Sequence, residues 1–379
     1  MVDLASVIRP GDGILWGQAC AEPRTLVEAL LRERSQLSGC GVFLGSSYSG
    51  LVRPEHADHL RLSSYCGTGS NRALADAGVL EIIPAPYSQF GFLIRNRTIR
   101  CDVAMVQVSP PNARGEFSLG LGVEYMAEAL RVARAVIAEV NDQVPWTYTE
   151  PLLVEKDFAL KIETSRPPVT LPAAAPSEVD GQIARNAAPF VPEGATLETG
   201  IGVLPNAVLA ALRNRRGLAF HSGVIPDGIV DLDITTATGG ALIGTRRLFD
   251  WARENAALRL RSSEYTHGTA TLSRIERFVA INSAVEVDLT GQVNGELAKG
   301  SYVGAVGGAL DFVRAANQSP GGVSIIVVSS SRIVEKLSGP VSVPRSEVGV
   351  IVTERGAADL RGCGLHERER RLRAISGNP

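Results

Sequence analysis

The residues best placed to do chemistry lie around a glycine corner, Gly200-Ile201-Gly202. Residues 195–199 alternate as a strand before the corner, and Pro205 can begin a helix after it. Free backbone N–H groups converge at such a corner, which therefore favours an anion. A second apolar segment, residues 217–220, brings His221-Ser222-Gly223 to the end of another strand, where open α/β sheets bind ligands. The same pattern is also typical of an ordinary strand–turn–helix unit.

The composition indicates a soluble globular protein. The chain has 379 residues, of which 45% are apolar and 21% charged, and this length predicts two or three domains. The formal net charge is −2 and the pI is about 6.3. This near-neutral balance indicates neither a nucleic-acid partner nor an acidic membrane surface.

The five cysteines are scattered and show no C-x-x-C spacing. Such dispersed thiols are typical of a reducing compartment and not of a disulfide framework or a zinc site. The His56-x-x-His59 spacing falls in a polar loop, so we expect no metal site there. The first residues lack the basic and apolar parts of a signal peptide, and no apolar run reaches membrane length. We therefore expect a cytoplasmic protein that contacts no membrane.

Two pairs of segments repeat along the chain. Residues 10–30 match residues 192–212 at an offset of 182 (192 − 10 = 182). Residues 104–117 match residues 280–293 at an offset of 176 (280 − 104 = 176). Two long offsets of similar size predict two tandem copies of one α/β unit, with mostly parallel sheets.

The region between the copies is rich in proline. Four prolines lie within residues 166–178, and proline at this density cannot continue a helix or a central strand. We therefore expect an N-terminal domain over residues 1–165, a linker over residues 166–178 and a C-terminal domain over residues 179–379.

Three further segments have clear patterns. Residues 125–140 carry apolar side chains at helical spacing and predict one amphipathic helix. Residues 322–328 are β-branched and nearly free of charge, which predicts a buried strand. Residues 365–374 predict a charged helix that faces solvent.

Five motifs resemble those of one family: QVSPPNARGEFSLG (107–120), GIGVLPNAV (200–208), INSAVEVDLTGQVN (281–294), VGGALDFVRAA (306–316) and VTERGAADLRG (352–362). From them the chain is identified as a member of the acetyl-CoA hydrolase/CoA-transferase family, which includes 4-hydroxybutyrate and butyryl/acetate CoA-transferases. The resemblance implies two similar CoA-transferase-type α/β domains with the active site in the cleft between them. It also implies an acyl-CoA substrate and a homo-oligomer, either a dimer or a tetramer.

The nucleophile of that family is missing from this sequence. In the family a glutamate attacks the acyl-CoA carbonyl, within a motif that reads roughly H-T-E-M-x-x-D-G. The aligned residues 221–228 read HSGVIPDG, so that Gly223 replaces the glutamate. Because glycine has no nucleophilic side chain, the resemblance implies a site that has lost covalent catalysis. We expect the vacated space to hold a bulkier acyl group.

The rest of the site looks retained. The resemblance assigns oxyanion and CoA-binding groups to two loops and one strand: Gly202, Leu204 and Asn206; Gly307 and Gly308; Asn282 and Glu286. Backbone N–H groups of the two loops would stabilise charge on the thioester oxygen. Glu286 would orient its neighbours.

Two carboxylates could replace the lost glutamate. Glu198 lies on the strand before the glycine corner, and Glu116 lies in a loop that the fold brings towards the second domain. Burial would raise the pKa of either and suit it to act as a general base. Either could equally be an ordinary polar residue. His221 and Ser222 are adjacent on a strand and point to opposite faces, which argues against a nucleophile–base pair.

Three functions remain open. The favoured one is an acyl-CoA hydrolase that uses water, either on the thioester or to cleave a C–C bond of a β-keto acyl-CoA. The second is a CoA-transferase in which another glutamate is the nucleophile, and the third is a catalytically silent CoA-binding protein. Coenzyme A would be a substrate or cosubstrate, and we expect no permanently bound cofactor.

Overall fold

The computed structural model describes residues 2–172 and 174–377. In the first half the strands are β1 (Gly13–Trp16), β2 (Gly41–Leu44), β3 (Arg61–Ser64), β4 (Leu80–Ile82), β5 (Val103–Val108), β6 (Glu116–Phe117), β7 (Ala135–Asn141), β8 (Leu153–Val154) and β9 (Leu160–Thr164). The helices of this half are α1 (Arg24–Glu33), α2 (Asn71–Asp76), α3 (Phe90–Arg95) and α4 (Met126–Val132).

The second half has more strands. They are β10 (Thr196–Thr199), β11 (Leu218–Pro226), β12 (Ile234–Ile243), β13 (Leu258–Leu260), β14 (Phe278–Ser283), β15 (Glu286–Asp288), β16 (Val293–Asn294), β17 (Leu297–Ala298), β18 (Ser301–Tyr302), β19 (Val323–Val327), β20 (Ile333–Val334), β21 (Val350–Thr353) and β22 (Gly356–Asp359). The helices are α5 (Glu178–Ala187), α6 (Val203–Ala211), α7 (Arg246–Ala252), α8 (Ser263–His267), α9 (Thr269–Leu272), α10 (Ala309–Gln318) and α11 (Leu365–Ile375).

Each half forms one large sheet. The first has the order β4-β3-β2-β1-β5-β7-β9, and its neighbouring strands are parallel. The second has the order β13-β12-β11-β10-β14-β19-β21-β22, with one antiparallel pair at its β22 edge. Counted in chain order within each sheet, the first follows 4-3-2-1-5-6-7, and the second follows the same order with an eighth strand, β22, added at its edge. The shared topology confirms the predicted fold class of two similar α/β units with mostly parallel sheets.

The central strands explain the sequence repeat. Leu15 in β1 and Leu197 in β10 are both fully buried, because a parallel sheet with helices on its faces buries both sides of its strands. Leu15 pairs with Ala104 and Leu197 pairs with Val279. The offset between these paired positions is therefore 175 (279 − 104 = 175). It is one residue less than the offset of 176 predicted from the apolar residues of the two strands.

The helix predicted over residues 125–140 is wrong in its second part. Helix α4 ends at Val132, Ala133 has extended backbone angles, and β7 begins at Ala135. Strand β7 lies between β5 and β9 and is buried along its whole length. A strand that is buried on both faces carries a continuous apolar run, which helical periodicity cannot distinguish from a buried helix.

The other two segments agree better with prediction. Strand β19 is buried throughout, as the β-branched run at residues 322–328 predicted. Helix α11 forms at the predicted position, but it does not face only solvent, because Leu372 and Ile375 are buried. The boundaries at residues 165 and 179 stay a prediction. Within the described residues, no helix has the length and apolar character needed to span a bilayer.

The two halves share one hydrophobic core. Buried side chains from both sheets, among them Phe43 and Leu197, belong to the same cluster. Residues 121–123 run along β12, and the Val123 N–H donates to the Gly240 carbonyl at 2.9 Å. This contact holds a first-half loop against the strands of the second half. It thereby determines the position of the next residue, Glu124.

Candidate active site

A cavity of about 190 Å³ lies between the two halves. Residues that follow β1 and β2 line one side, and residues near the ends of β10 and β14 line the other. The carboxyl ends of parallel strands are where open α/β sheets bind ligands. Of the predicted site residues, the structure brings together Glu198, Ser222, Gly223, Asn282, Gly307 and Gly308.

Glu198 is a buried carboxyl in the cavity wall, 2% exposed. Asn282 on the neighbouring strand β14 donates from Nδ2 to Glu198 Oε2 at 2.7 Å. Burial disfavours the charged carboxylate and raises the pKa of Glu198 to about 8, against the lowering effect of the Asn282 hydrogen bond. Such a carboxyl can exchange a proton near neutral pH.

The imidazole of His267 fills the space beside Gly223. A Cβ placed at Gly223 would lie 2.8 Å from both Cε1 and Nε2 of this ring, which is too close for any real side chain. A Cβ placed at Gly308 would lie 2.5 Å from the same Nε2. Glycine is therefore required at both positions while His267 is present. This corrects the expectation that the space beside Gly223 is free for a bulky acyl group.

Aromatic packing holds the His267 ring in place. Its centroid lies 4.8 Å from that of Tyr87 and 4.5 Å from that of Phe312. Thr266 Oγ1 lies 2.9 Å from Nδ1. Burial, followed by the nearby His221, lowers the pKa of His267 to about 3, so that the ring is neutral at physiological pH.

The loop before α10 presents a backbone donor to the cavity. Gly307 has a φ of +57°, and Gly308 directly precedes the helix. Gly307 forms an isolated parallel bridge with Pro86, which engages its N–H group, whereas the Gly308 N–H has no acceptor among the residues that the structure describes. The loop is anchored by the Tyr87 N–H, which donates to the Gly307 carbonyl at 2.9 Å, and by Asp311, which accepts from the Ser88 hydroxyl at 2.8 Å. A free donor at a helix N-terminus suits a developing oxyanion.

Glu124 is a second buried carboxyl at the cavity. Gln18 donates from Nε2 to Glu124 Oε2 at 2.6 Å and to the Tyr87 hydroxyl at 2.9 Å, and its Oε1 accepts from the Tyr65 hydroxyl at 2.8 Å. Burial raises the pKa of Glu124 to about 7, although hydrogen bonds from Gln18 and Tyr87 lower it. These groups form a closed polar network in the first-half wall.

His221 and Ser222 do not form a catalytic pair. Ser222 lines the cavity, and its hydroxyl donates to the Thr199 carbonyl at 3.0 Å. The His221 ring faces away, with Nε2 at 2.9 Å from the Thr266 carbonyl. Burial lowers the pKa of His221. Since Thr266 precedes His267, we assign His221 the task of positioning α8.

Glu116 and Glu286, both predicted as site residues, lie outside the cavity lining. Glu116 Oε2 accepts from Asn112 Nδ2 at 2.8 Å within its own turn. Glu286 accepts from the Ser338 N–H at 2.9 Å and from the Ser338 hydroxyl at 2.6 Å. Glu116 stabilises its own turn and Glu286 holds the distant segment at Ser338, and neither carboxylate lines the cavity with Glu198.

The glycine corner reaches the cavity through Gly200 and Ile201, not through Gly202, Leu204 or Asn206. The first turn of α6 forms an internal hydrogen bond, in which Asn206 Nδ2 donates to the Gly202 carbonyl at 3.0 Å. The proposed CoA-binding role of these three residues is therefore not supported at the cavity itself.

Sequence reasoning missed Glu124 and His267. The signal for Glu124 was a single charge within an apolar run, which predicts burial but not a site. His267 ends a five-residue helix and has no periodic signal. Both side chains reach the cavity only through contacts between distant segments.

Comparison with solved structures defines the class of protein. RipA from Yersinia pestis superimposes with a TM-score of 0.93 at 29% identity, covering 99% of this chain and 92% of RipA. The chain thus has the two-sheet α/β fold over its whole length, with a proton-exchanging carboxyl and a free backbone donor at the junction of the sheets.

Sequence comparison defines the family. The Acetyl-CoA hydrolase/transferase N-terminal domain matches residues 1–151, and the C-terminal domain matches residues 244–378. The chain is 31% identical to a 4-hydroxybutyrate coenzyme A transferase of Clostridium kluyveri, over 95% of this chain and 89% of that protein. It is 25% identical to an acetyl-CoA hydrolase of Kluyveromyces lactis, over 98% and 84% respectively. The chain belongs to the acetyl-CoA hydrolase/transferase family and is an enzyme of that family.

Proposed function

We propose that this enzyme hydrolyses an acyl-CoA thioester with water, and that Glu198 is the general base. The observation that carries the proposal is the buried Glu198 carboxyl, which Asn282 holds in the wall of a cavity where Gly223 supplies no nucleophile. The free N–H of Gly308 adds the electrostatic stabilisation that acyl transfer to water needs. The substrate class comes from the relatives, whose names are those of CoA-transferases and an acetyl-CoA hydrolase.

In the proposed reaction Glu198 accepts a proton from water while the water oxygen bonds to the thioester carbon. Negative charge then develops on the carbonyl oxygen beside the Gly308 N–H group, and one such donor lowers the barrier by about 3 kcal/mol. Collapse of the tetrahedral intermediate breaks the C–S bond. The CoA thiolate leaves and takes the proton from Glu198, so the products are a carboxylic acid and CoA.

CoA transfer with Glu198 as the nucleophile is the second candidate. The identity of 31% to a CoA-transferase favours it. In that reaction the Glu198 carboxylate would form an anhydride with the acyl group and then a thioester with CoA. We favour hydrolysis because a pKa near 8 suits proton transfer at neutral pH, and because Gly223 lacks the side chain that the family resemblance assigns to transfer.

The test measures CoA release from acetyl-CoA, butyryl-CoA and acetoacetyl-CoA, with and without added acetate. Hydrolysis predicts release that does not require acetate, whereas transfer predicts that release depends on it. Acetoacetyl-CoA also tests C–C cleavage, because that reaction yields acetate and acetyl-CoA without free CoA.

A second measurement separates the two roles of Glu198. After many turnovers in H₂¹⁸O, direct attack by water labels only the product acid, whereas an anhydride at Glu198 accumulates label in the Glu198 carboxyl group. Labelled Glu198 peptide, or a glutamyl-CoA adduct trapped with borohydride, would contradict the proposal and establish transfer chemistry instead.

We further expect a homo-oligomer, dimer or tetramer, as the family resemblance implied. Size-exclusion chromatography with light scattering measures the mass directly. A monomer at micromolar concentration would remove this expectation without affecting the proposed chemistry, since every group in the proposed reaction belongs to one chain.

A further inference from the structure

We propose that His267 is a second catalytic residue, whose Nε2 accepts a hydrogen bond from the water that attacks the thioester. Glu198 and His267 would then each hold one hydrogen of that water, leaving an oxygen lone pair directed at the substrate carbon. The inference rests on the proposed hydrolysis and adds to it the residue that orients the nucleophile.

The position of Nε2 is the first argument. It lies so close to Gly223 and Gly308 that added Cβ atoms would stand 2.8 Å and 2.5 Å from it. Gly308 carries the free N–H group assigned to the oxyanion. A thioester carbon whose oxygen faced that donor would therefore lie near Nε2, and His267 and Glu198 line the same cavity.

The tautomer of His267 is the second argument. The Ser263 carbonyl, which can only accept a hydrogen bond, lies within hydrogen-bonding range of the imidazole, and Nδ1 lies 2.9 Å from the Thr266 hydroxyl. The Thr266 hydroxyl is also 3.1 Å from the Ser262 carbonyl, to which it can donate. These contacts place the ring proton on Nδ1 and leave Nε2 with a free lone pair. No other described group donates to Nε2.

The neutrality of the ring is the third argument. It distinguishes the role of His267, which accepts a hydrogen bond, from that of Glu198, which accepts a proton. Burial lowers the pKa of His267 to about 3, so the ring accepts a hydrogen bond near neutral pH without taking up the proton. Burial raises the pKa of Glu198 to about 8, so the carboxylate is the stronger base and takes it. Glu198 therefore takes up the proton and His267 only accepts a hydrogen bond, because burial shifts their pKa values in opposite directions.

The rigidity of the ring is the fourth argument. Tyr87 and Phe312 contact it from two sides, and His221 holds the carbonyl of the preceding residue. A group that orients a nucleophile gains from such constraint, because small displacements of the reacting atoms cost orders of magnitude in rate.

The test compares His267→Leu with His267→Gln on acetyl-CoA and butyryl-CoA. Leucine fills similar volume without an acceptor, and the glutamine Oε1 can occupy the position of Nε2. We expect His267→Leu to lower kcat about 10²-fold with KM nearly unchanged, and His267→Gln to recover to within about tenfold of the wild type. His366→Gln, at an exposed position far from the cavity, is the control for the substitution itself.

Thermal midpoints of both variants separate folding from chemistry. A kcat for His267→Leu within threefold of the wild type, or equal losses in both variants, would overturn the inference and leave hydrolysis intact. Wild-type enzyme that releases CoA only in the presence of acetate would overturn the proposed function first, and this inference with it. Failure of this inference would thus appear in the His267 variants, whereas failure of the proposed function would appear in the wild-type enzyme.

Discussion

The two buried glutamates at the cavity are held in different ways. Glu124, from the first half, receives hydrogen bonds from Gln18 and Tyr87. Glu198, from the second half, receives one side-chain hydrogen bond, from Asn282, and one backbone hydrogen bond, from Ile281. Burial raises the pKa of both, to about 7 for Glu124 and about 8 for Glu198. The two carboxyls are similarly buried and hydrogen-bonded, but Glu124 belongs to a network of side chains, whereas Glu198 is held only by its neighbouring strand β14.

The same contrast holds for the two walls as wholes. The first-half wall is a closed network of tyrosine, glutamine and glutamate side chains. In the second-half wall, the buried Thr199 Oγ1 and the N–H group of Gly308 have no partner among the described residues. Because unpaired buried polar groups are costly unless a ligand satisfies them, we assign the chemistry to the second-half wall and the shape of the cavity to the first.

Equivalent positions of the repeat show how this difference arose from one scaffold. At the offset of 182, Glu198 of β10 corresponds to Trp16 of β1 (198 − 182 = 16). Trp16 is 2% exposed and packs in an apolar core, whereas Glu198 is equally buried but borders the cavity. One strand position thus stabilises the first copy and supplies the proposed base in the second.

The largest expected effect distinguishes the two glutamates. Glu198→Gln should lower kcat about 10³-fold, because a general base contributes on this scale, while Glu124→Gln should lower it by less than about tenfold. Steady-state CoA release from acetyl-CoA measures both, and circular dichroism confirms that both variants fold. A larger loss in Glu124→Gln than in Glu198→Gln would reverse the assignment of the two walls.

The next effect concerns the packing of Gly223 against His267. Gly223→Glu should destabilise the fold by about 2 kcal/mol and abolish hydrolysis, because its Cβ would overlap the His267 ring. The double variant Gly223→Glu/His267→Ala removes the overlap and should regain stability. We expect it to form a glutamyl-CoA adduct that borohydride traps and mass spectrometry locates at residue 223. A single variant as stable as wild type would show that the ring is not held there.

The pH dependence should be the third-largest effect. Burial raises the pKa of Glu198 to about 8, and the proposed base acts only as the carboxylate. The value of kcat/KM should therefore rise about tenfold per pH unit below pH 8 and level off above it. A profile that is flat between pH 6 and pH 9 would contradict the role of Glu198.

Stability should change with pH in the opposite direction. The pKa of Glu198 is higher in the folded protein than its ordinary value of 4.5, so the folded state binds more protons between these values. Its contribution to stability is complete below pH 4.5 and is lost as the pH rises through about 8. Between pH 6 and pH 8.5 the thermal midpoint of wild type should therefore fall more than that of Glu198→Gln.

The smallest expected effect concerns Glu116, the other carboxylate that the sequence suggested. Its side chain accepts a hydrogen bond from Asn112 in a local turn and does not line the cavity. Glu116→Gln should leave kcat and KM within about twofold of the wild type, as surface substitutions usually do. A tenfold loss of kcat would show that this loop reaches the substrate and would require a different boundary for the site.

Much of this architecture could be predicted from the sequence, because its signals are local or repeated. Alternating apolar residues and a glycine corner predict a strand that ends at Thr199, and the 182-residue offset predicts two similar sheets. The predicted site residues Glu198 and Asn282 lie near the carboxyl ends of β10 and β14, and Gly223 lies within β11. All three line one cavity because parallel strands bring their carboxyl ends to one edge. The prediction of a helix over residues 125–140 was wrong in its second part, because β7 is buried on both faces and its apolar residues do not alternate with polar ones.

The partners of these residues were decided only by the tertiary structure. His267 lies 44 residues after Gly223 (267 − 223 = 44), and Glu124 enters the cavity because the preceding loop pairs with β12. No local pattern records such contacts, since they depend on how two sheets pack and on which side chain fills the space beside a glycine. The sequence alone determined that position 223 has no side chain that could act as a nucleophile. The fold determined that the His267 imidazole packs against it.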